Sequence, residues 1–116
     1  MSRLDVYRGL PVLVTGHTGF KGGWLVSLLK AHGAKVRGYA LPPETSPSLF
    51  EAARVFEGMA SCYGDVRDRA AVARVFADAR PELVFHLAAQ PLVRRSYREP
   101  FVTFETNVMG TASVLE

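Results

Sequence analysis

The chain has 116 residues, of which 48% are apolar and 22% charged, and this length and balance allow at most one globular domain. Its 14 basic and 11 acidic residues give a net charge of +3, and because they are dispersed along the chain they argue against a nucleic-acid partner. The single cysteine excludes a disulfide framework and a cysteine-based metal cluster, so we expect a cytoplasmic protein. No apolar run approaches the roughly 20 residues needed to cross a bilayer, so we expect no membrane partner.

Apolar runs alternate with helical patterns along the chain. Short apolar runs predict strands at residues 10–15, 35–41, 59–63 and 82–88. Helical spacing predicts helices at residues 19–32, 48–55 and 67–79, and a last one that begins near Pro100. Asp68 is placed to cap the third helix.

The same spacing predicts which side of each helix faces the core. On the first helix the apolar residues that recur are Phe20, Trp24, Leu25, Leu28 and Leu29. On the third helix they are Val72, Val75 and Phe76, and on the last they are Phe101, Phe104, Val108 and Leu115. We expect these residues to be buried against a sheet.

Strands that alternate with helices predict an α/β fold, a Rossmann-type doubly wound parallel sheet, because right-handed crossovers place helices on both faces. The expected strand order is 3-2-1-4, with a ligand crevice between the first and fourth strands. The last helical pattern runs to residue 116 without a capping residue. We therefore expect residues 1–116 to be the amino-terminal half of such a domain, with its carboxyl-terminal strands absent.

The first predicted strand runs into the loop TGHTGFKG, whose glycines are Gly16, Gly19 and Gly22. Gly16 permits a tight turn out of the strand, Gly19 lets backbone amides approach a pyrophosphate, and Gly22 lets the helix pack closely on the sheet. The positive end of the helix dipole then faces the phosphate. Because the loop joins a predicted strand to a predicted helix, it predicts a dinucleotide-binding site.

Several polar residues lie near the expected crevice. Lys21 stands at a helix start, where the dipole disfavours a cation unless an anion binds, and His17 is either a phosphate donor or a solvated loop residue. Asp65 follows the third strand, and because Asp68 is the better helix cap, we expect Asp65 to accept a hydrogen bond from an adenine amino group. His86 lies inside the fourth strand and is interpreted as a satisfied core histidine rather than a base.

The fourth strand is followed by small residues and then by a basic run. Ala88 and Ala89 leave room for a flat cofactor beside the glycine loop. Arg94 and Arg95 form the only dense basic patch of the sequence, in a segment predicted to be a loop. The patch is either solvated or serves to bind substrate or order the loop, and a diphosphate substrate at this edge favours the second role.

These motifs resemble the extended short-chain dehydrogenase/reductase family, in which a TGxxGFxG loop, an acid-aliphatic pair after strand three, an HxAA segment and a TNxxGT segment recur. They stand here at residues 15–22, 65–66, 86–89 and 106–111. The resemblance implies a cofactor, NAD, and the residues that would contact it are Gly16, Thr18, Gly19, Phe20, Lys21, Gly22, Asp65, Val66, Leu87, Ala88, Ala89, Gln90 and Thr106.

Within that family, the TGHTGFKG, PSLFE and HLAAQPLVRRSY runs are most similar to nucleotide-sugar 4,6-dehydratases that act on CDP-glucose. This similarity implies conversion of CDP-glucose to a 4-dehydro-6-deoxy product, with loss of water and internal recycling of a hydride through NAD, and a homodimer. It also implies a substrate domain, which we expect to be absent from residues 1–116. One departure is the sequence Tyr39-Ala40-Leu41 at the end of strand two, where NAD-specific members usually place an acid.

A second departure concerns catalysis. No tyrosine of this sequence is followed four residues later by a lysine, so the Tyr-x-x-x-Lys pair of the family is absent. A tyrosine needs such a lysine to act as a base near neutral pH. We therefore assign no catalytic residue and expect no turnover by this chain alone.

Two alternatives remain open. The parent protein is another family member, a sugar-nucleotide epimerase or a dehydratase for a GDP- or dTDP-sugar, or the chain is a non-catalytic NAD(P)-binding module. The missing catalytic pair motivates the module, whereas the uncapped last helix argues against it.

Overall fold

Four parallel strands form one sheet in the order β3-β2-β1-β4. The computed structural model describes residues 3–116, with side chains from residue 5 onward. The strands are β1 (Pro11–Thr15), β2 (Lys35–Ala40), β3 (Ala60–Tyr63) and β4 (Leu83–His86). Thr15 lies opposite Tyr39 of β2 and His86 of β4 in the ladders. The predicted fold class and strand order are confirmed.

The helices follow the predicted alternation with the strands. They are α1 (Phe20–Ala31), α2 (Leu49–Ala52), α3 (Arg69–Ala79), α4 (Val93–Arg98), α5 (Pro100–Phe104) and α6 (Gly110–Leu115). A 3-10 helix (Arg3–Tyr7) precedes β1, and a π-helical turn (Glu105–Met109) joins α5 to α6. The predicted last helix therefore contains a turn that its apolar spacing does not reveal, because a π turn inserts an extra residue.

The core has one layer on each face of the sheet. Successive residues of β1 point to opposite faces, so Val12 and Val14 pack under α1 while Leu13 packs under α3. The layer beneath α1 and α2 is built from Val12, Val14, Val26, Leu29, Val36, Phe50 and Val55. The layer beneath α3 is built from Leu13, Tyr39, Val66, Val72 and Val75. Both faces are covered, as a doubly wound sheet requires.

The predicted buried stripe of α1 is wrong. Phe20, Trp24 and Leu28 are 69%, 60% and 48% exposed. The buried residues of the helix are instead Gly22, Gly23, Val26 and Leu29. Small residues decide the orientation, because they let the helix axis approach the sheet more closely than a row of large side chains does. Of the predicted set, only Leu29 is buried, and Leu25 packs at the edge of the core.

The predicted burial of the last helix is also wrong, whereas that of α3 is confirmed. Phe101, Phe104, Val108 and Leu115 are all exposed. Helix α6 contacts the α3 layer through Val114 and Gly110. The residues Val72 and Val75 of α3 are buried, and Phe76 packs against them. The run with Arg94 and Arg95, predicted as a loop, forms helix α4.

Close contact between α1 and the end of β1 depends on Gly22. A Cβ atom at Gly22 would lie 2.1 Å from the Gly16 carbonyl oxygen and 2.9 Å from the His17 Cα. Backbone atoms cannot yield to a methyl group as a flexible side chain can. The structure therefore shows the close packing of the helix that was predicted for Gly22.

Gly22→Ala is expected to lower the free energy of unfolding by about 1 to 3 kcal/mol, the usual cost of overpacking. Gly19→Ala is the matched control, because a Cβ there meets only one atom, at 3.4 Å. Urea unfolding followed by circular dichroism measures both variants. Equal stability of Gly22→Ala and the parent chain, meaning residues 1–116 without substitutions, would contradict the close packing.

Candidate dinucleotide-binding site

The glycine loop lies between the ends of two other strands. Gly16 has a φ of +81°, and its amide donates to the Tyr39 carbonyl of β2 at 3.0 Å. On the opposite side, a Cβ at Gly16 would lie 2.7 Å from the backbone of Leu87 and Ala88, which follow β4. The left-handed φ and the close approach both require glycine. The loop is thereby held between β2 and the segment after β4.

The loop opens to solvent at Gly19. This residue is the N-cap of α1, where a glycine has no side chain to bond the first amides of the helix, and its φ of −82° suits any residue. The nearest atom to a Cβ built there is the Gly16 carbonyl oxygen at 3.4 Å. Since the first amides of a helix lack intrahelical acceptors, this exposed surface offers donors and a positive dipole end to an anion.

Thr15, at the end of β1, organises the segment after β4. Its Oγ1 accepts hydrogen bonds from the amides of Leu87 at 3.1 Å and Ala88 at 3.2 Å, and it lies 2.6 Å from Nδ1 of His86. Sequence reasoning missed this role. The available signal was a hydroxyl residue at the end of an otherwise apolar strand, directly before the glycine loop.

His86 is a satisfied histidine, as predicted. Its Nε2 lies 3.0 Å from Oγ1 of Thr111, whose own hydroxyl donates to the Asn107 carbonyl. Thr111 therefore accepts from Nε2, and Nδ1 accepts from Thr15, which assigns the neutral tautomer with the proton on Nε2. Burial lowers the pKa of His86, which agrees with a neutral ring.

His17 does not face a phosphate or solvent, so both readings of this residue are wrong. Its side chain is fully buried, its Nε2 lies 2.7 Å from Oγ of Ser61, and its ring meets Phe50 edge-on at 5.4 Å between centroids. Gly38 makes room for the ring, since a Cβ there would lie 2.4 Å from it. Among the described residues, Nδ1 has no hydrogen-bond partner. Burial lowers the pKa of His17 to about 4.

Asp65 lies at the carboxyl edge of the sheet, after β3, and does not cap α3. The cap is Asp68, whose carboxylate accepts from the Ala71 amide at 3.1 Å, as predicted. Oδ1 of Asp65 accepts from the Arg67 amide, and Oδ2 accepts from both Nε and Nη2 of Arg67. These bonds lower the pKa of Asp65, so the carboxylate is charged. An acceptor position on Oδ1 remains for a ligand.

Gln90 is buried and its side chain is fully engaged within the protein. Nε2 donates to the Leu92 carbonyl and to Oγ1 of Thr103, and Oε1 accepts from the Leu92 amide. The Asn107 side chain bonds both the amide and the carbonyl of Gln90. The side-chain amide and both polar backbone atoms of Gln90 are therefore engaged within the protein.

The predicted cofactor residues differ in exposure. Those with exposed surface are Gly19, Phe20, Lys21, Leu87 and Ala89. The half-buried ones are Gly16, Thr18, Asp65, Ala88 and Thr106, and the buried ones are Gly22, Val66 and Gln90. The hydroxyl of Thr18 donates to the Leu41 carbonyl after β2 at 2.8 Å. The exposed members belong to the glycine loop, the start of α1 and the segment after β4, which adjoin each other through Gly16.

Arg95 joins α4 to the segment after β2. Its Nη1 lies 3.0 Å from Oε1 of Glu44, and its Nε lies 2.6 Å from Oε2 of Glu99. Both carboxylates are exposed, and ion pairs of this kind contribute little stability. The contacts fit the loop-ordering role considered for this arginine, whereas Arg94 is exposed.

Residues 3–116 contain no group of three or more His, Cys, Asp or Glu side chains placed to hold a metal ion. No helix there has both the length and the apolar character needed to cross a membrane.

Comparison with known proteins places the chain in a family. The family model described as GDP-mannose 4,6 dehydratase matches residues 13–116. The chain belongs to this family. It is 54% identical over 112 residues to CDP-glucose 4,6-dehydratase of Salmonella typhimurium, which covers 97% of this chain and 31% of that protein. It is 34% identical to dTDP-glucose 4,6-dehydratase 1 of Escherichia coli, which covers 92% of this chain and 30% of that protein.

Solved structures agree with this assignment. An epimerase of Methanothermobacter thermautotrophicus superposes with a TM-score of 0.82 at 33% identity, over 97% of this chain and 32% of its own. UDP-glucose 4-epimerase of Brucella ovis, in complex with NAD, superposes with a TM-score of 0.73 at 29% identity, over 90% and 30%. The resemblance to the extended short-chain dehydrogenase/reductase family is confirmed. The chain spans about a third of the length of these relatives.

The buried, neutral His17 gives the chain a pH-dependent stability. Between pH 6.5 and about 4 the unfolded chain binds a proton at this residue and the folded chain does not. The free energy of unfolding is therefore expected to fall as the pH drops through this window, by up to about 3 kcal/mol. Urea unfolding at a series of pH values measures the loss.

His17→Gln provides the comparison, because glutamine keeps a polar group near the Nε2 position and does not titrate. The difference in stability between the two chains should change with pH only within the window. A constant difference from pH 7 to 4 would contradict a neutral buried His17.

Proposed function

We propose that residues 1–116 are the amino-terminal, NAD-binding part of a nucleotide-sugar 4,6-dehydratase that acts on CDP-glucose. The support for the substrate is sequence identity: 54% to the CDP-glucose enzyme of Salmonella typhimurium. Dehydratases for GDP-mannose and dTDP-glucose are 30% to 36% identical. The support for dinucleotide binding is the open backbone at Gly19, at the amino end of α1.

The residues present fit a dinucleotide. The amides at the start of α1 and the charge of Lys21 would hold the pyrophosphate. The free acceptor position of Asp65 would take the adenine amino group. Ala88 and Ala89 leave the surface beside the loop low enough for the nicotinamide half to lie against the backbone. The structures of UDP-glucose 4-epimerase of Brucella ovis and the enzyme WbmH of Bordetella bronchiseptica contain NAD, which favours NAD as the cofactor.

When bound, NAD supplies an acceptor for a hydride from sugar C4 and a donor that returns it to C6 after water is lost. The residues of this chain bind and orient the cofactor, and none of them forms a Tyr-x-x-x-Lys pair. We therefore propose that the proton transfers of the full-length enzyme depend on residues outside these 116. A cytoplasmic location remains a prediction based on the single cysteine.

Calorimetric titration with NAD and NADP tests the proposal. The chain is expected to bind NAD, without turnover of CDP-glucose. Gly19→Val should weaken NAD binding at least about tenfold, because the side chain projects where the phosphate would approach the backbone. The φ at Gly19 suits valine, so stability should not change.

Gly19→Ala serves as the size control and should give an intermediate affinity. Equal NAD affinity of the parent chain and Gly19→Val would exclude the glycine loop as the phosphate site. Absence of NAD binding by a folded parent chain would contradict the proposed function itself.

We also propose that the chain forms a homodimer through its last helical segment. The exposed side chains of Phe101, Phe104, Val108 and Leu115 support this, because large apolar patches commonly mark protein interfaces. Phe104→Glu is expected to shift the chain to a monomer in analytical ultracentrifugation. A parent chain that is monomeric at every concentration would contradict the dimer.

A further inference from the structure

Tyr39 contacts both parts of the candidate site. Its carbonyl accepts the amide of Gly16 in the glycine loop at 3.0 Å. Its hydroxyl donates to the carbonyl of Asp65, in the turn after β3, at 2.9 Å. The side chain is buried, so these contacts are shielded from water. One residue of β2 therefore links the loop that faces the phosphates to the residue expected to face the adenine.

The turn that carries Asp65 is shaped around the Tyr39 hydroxyl. The Gly64 amide donates to the carbonyl of Ala40 at 2.8 Å. A Cβ at Gly64 would lie 2.4 Å from the Tyr39 hydroxyl oxygen. Strand β2 thus holds the turn at two points, the Gly64 amide by a backbone bond and the Asp65 carbonyl by a side-chain bond.

The tyrosine is present as a neutral donor. Burial, and then the carboxylates of Asp68 and Asp65, raise the pKa of Tyr39. The hydroxyl therefore keeps its proton at neutral pH. Its proton points at the Asp65 carbonyl, so the residue acts by holding the turn and not as a base.

Further contacts hold the same turn. Arg67 bonds the Asp65 carboxylate but not the Asp65 carbonyl. Val66 packs on the backbone of Gly110, where a Cβ would lie 2.6 Å from Val66 Cγ2. The Asp65 carbonyl also accepts the amide of Asp68 at 3.0 Å. Loss of the Tyr39 hydroxyl would therefore remove one of the two hydrogen bonds that the described residues make to this carbonyl, and with it the link of the carbonyl to β2, so the carboxylate would lose its alignment with the glycine loop while the turn keeps its fold.

We propose that Tyr39 is a positioning residue for adenine recognition. By holding Asp65 at a fixed place relative to the glycine loop, Tyr39 sets the preference of the site for a base with an exocyclic amino group. The proposal rests on the proposed NAD-binding function. It gives a role to Tyr39, which lies in the segment at the end of β2 where NAD-specific members of the family usually place an acid.

The test compares the affinities of NAD and nicotinamide hypoxanthine dinucleotide, which lacks the adenine amino group. The parent chain should bind NAD about tenfold more tightly, the scale of one hydrogen bond to a charged acceptor. Tyr39→Phe keeps the buried ring and should reduce this preference to about twofold by weakening NAD alone. Asp65→Ala should remove the preference altogether.

Two additional variants sharpen the result. Tyr63→Phe makes the same chemical change at an exposed tyrosine of β3 and should leave both affinities unchanged. Gly64→Ala displaces the Tyr39 hydroxyl without removing it, so it should also reduce the preference for NAD. It replaces Tyr39→Phe as the test variant if Tyr39→Phe folds poorly. Thermal unfolding of each variant is measured alongside binding.

The outcomes are distinct. Equal weakening of both dinucleotides by Tyr39→Phe, with a lower unfolding temperature, would overturn the proposal, because it is the signature of a structural residue. An unchanged preference in Tyr39→Phe, or a parent chain that binds both dinucleotides equally, would also overturn it while NAD binding stands. Failure of the parent chain to bind either dinucleotide would refute the proposed function, and this inference with it.

Discussion

The contact between Gly22 and the Gly16 carbonyl determines how α1 meets the sheet, and the geometry of the candidate site follows from it. With no Cβ between them, the first turn of the helix rests on the loop that leaves β1. The amino end of the helix is thereby brought to the carboxyl edge of the sheet, where its free amides and positive dipole end point outward. The same close approach turns the helix so that Phe20 and Trp24 lie on its outer side.

A second group of contacts holds the surrounding strand ends in register. Thr15, Tyr39 and His86 lie side by side across three strands, and each uses its polar atoms on backbone or side-chain partners near the loop. Buried polar groups stabilise a structure only when they are satisfied. These residues are satisfied, so they give the ligand-facing edge a defined shape without adding charge to it.

Charge is confined to the periphery of the edge. The Asp65 carboxylate is charged and aligned by Arg67, Lys21 is exposed at the helix start, and both histidines next to the loop and β4 are neutral. A dinucleotide needs this division, because its phosphates require positive potential while its bases and riboses require directional hydrogen bonds. The candidate site has this division of charge, in agreement with the proposed dinucleotide binding, and the sequence contains no Tyr-x-x-x-Lys pair for proton transfer.

The sequence by itself determined the order of the strands, the glycine loop, the Asp68 cap and the burial of the α3 face. Each depends on short-range geometry: apolar runs, the conformational freedom of glycine, or a side chain that reaches a backbone three residues away. Only the tertiary structure decided the rotation of α1, the burial of His17, the π turn before Gly110 and the two contacts of Tyr39. The burial of His17 and the contacts of Tyr39 depend on space left by residues distant in sequence, because Gly38 makes room for the His17 ring and Gly64 admits the Tyr39 hydroxyl. A periodicity read along one segment contains no information about such partners. The rotation of α1 depends on the contact of Gly22 with Gly16, which the spacing of large apolar residues does not reveal.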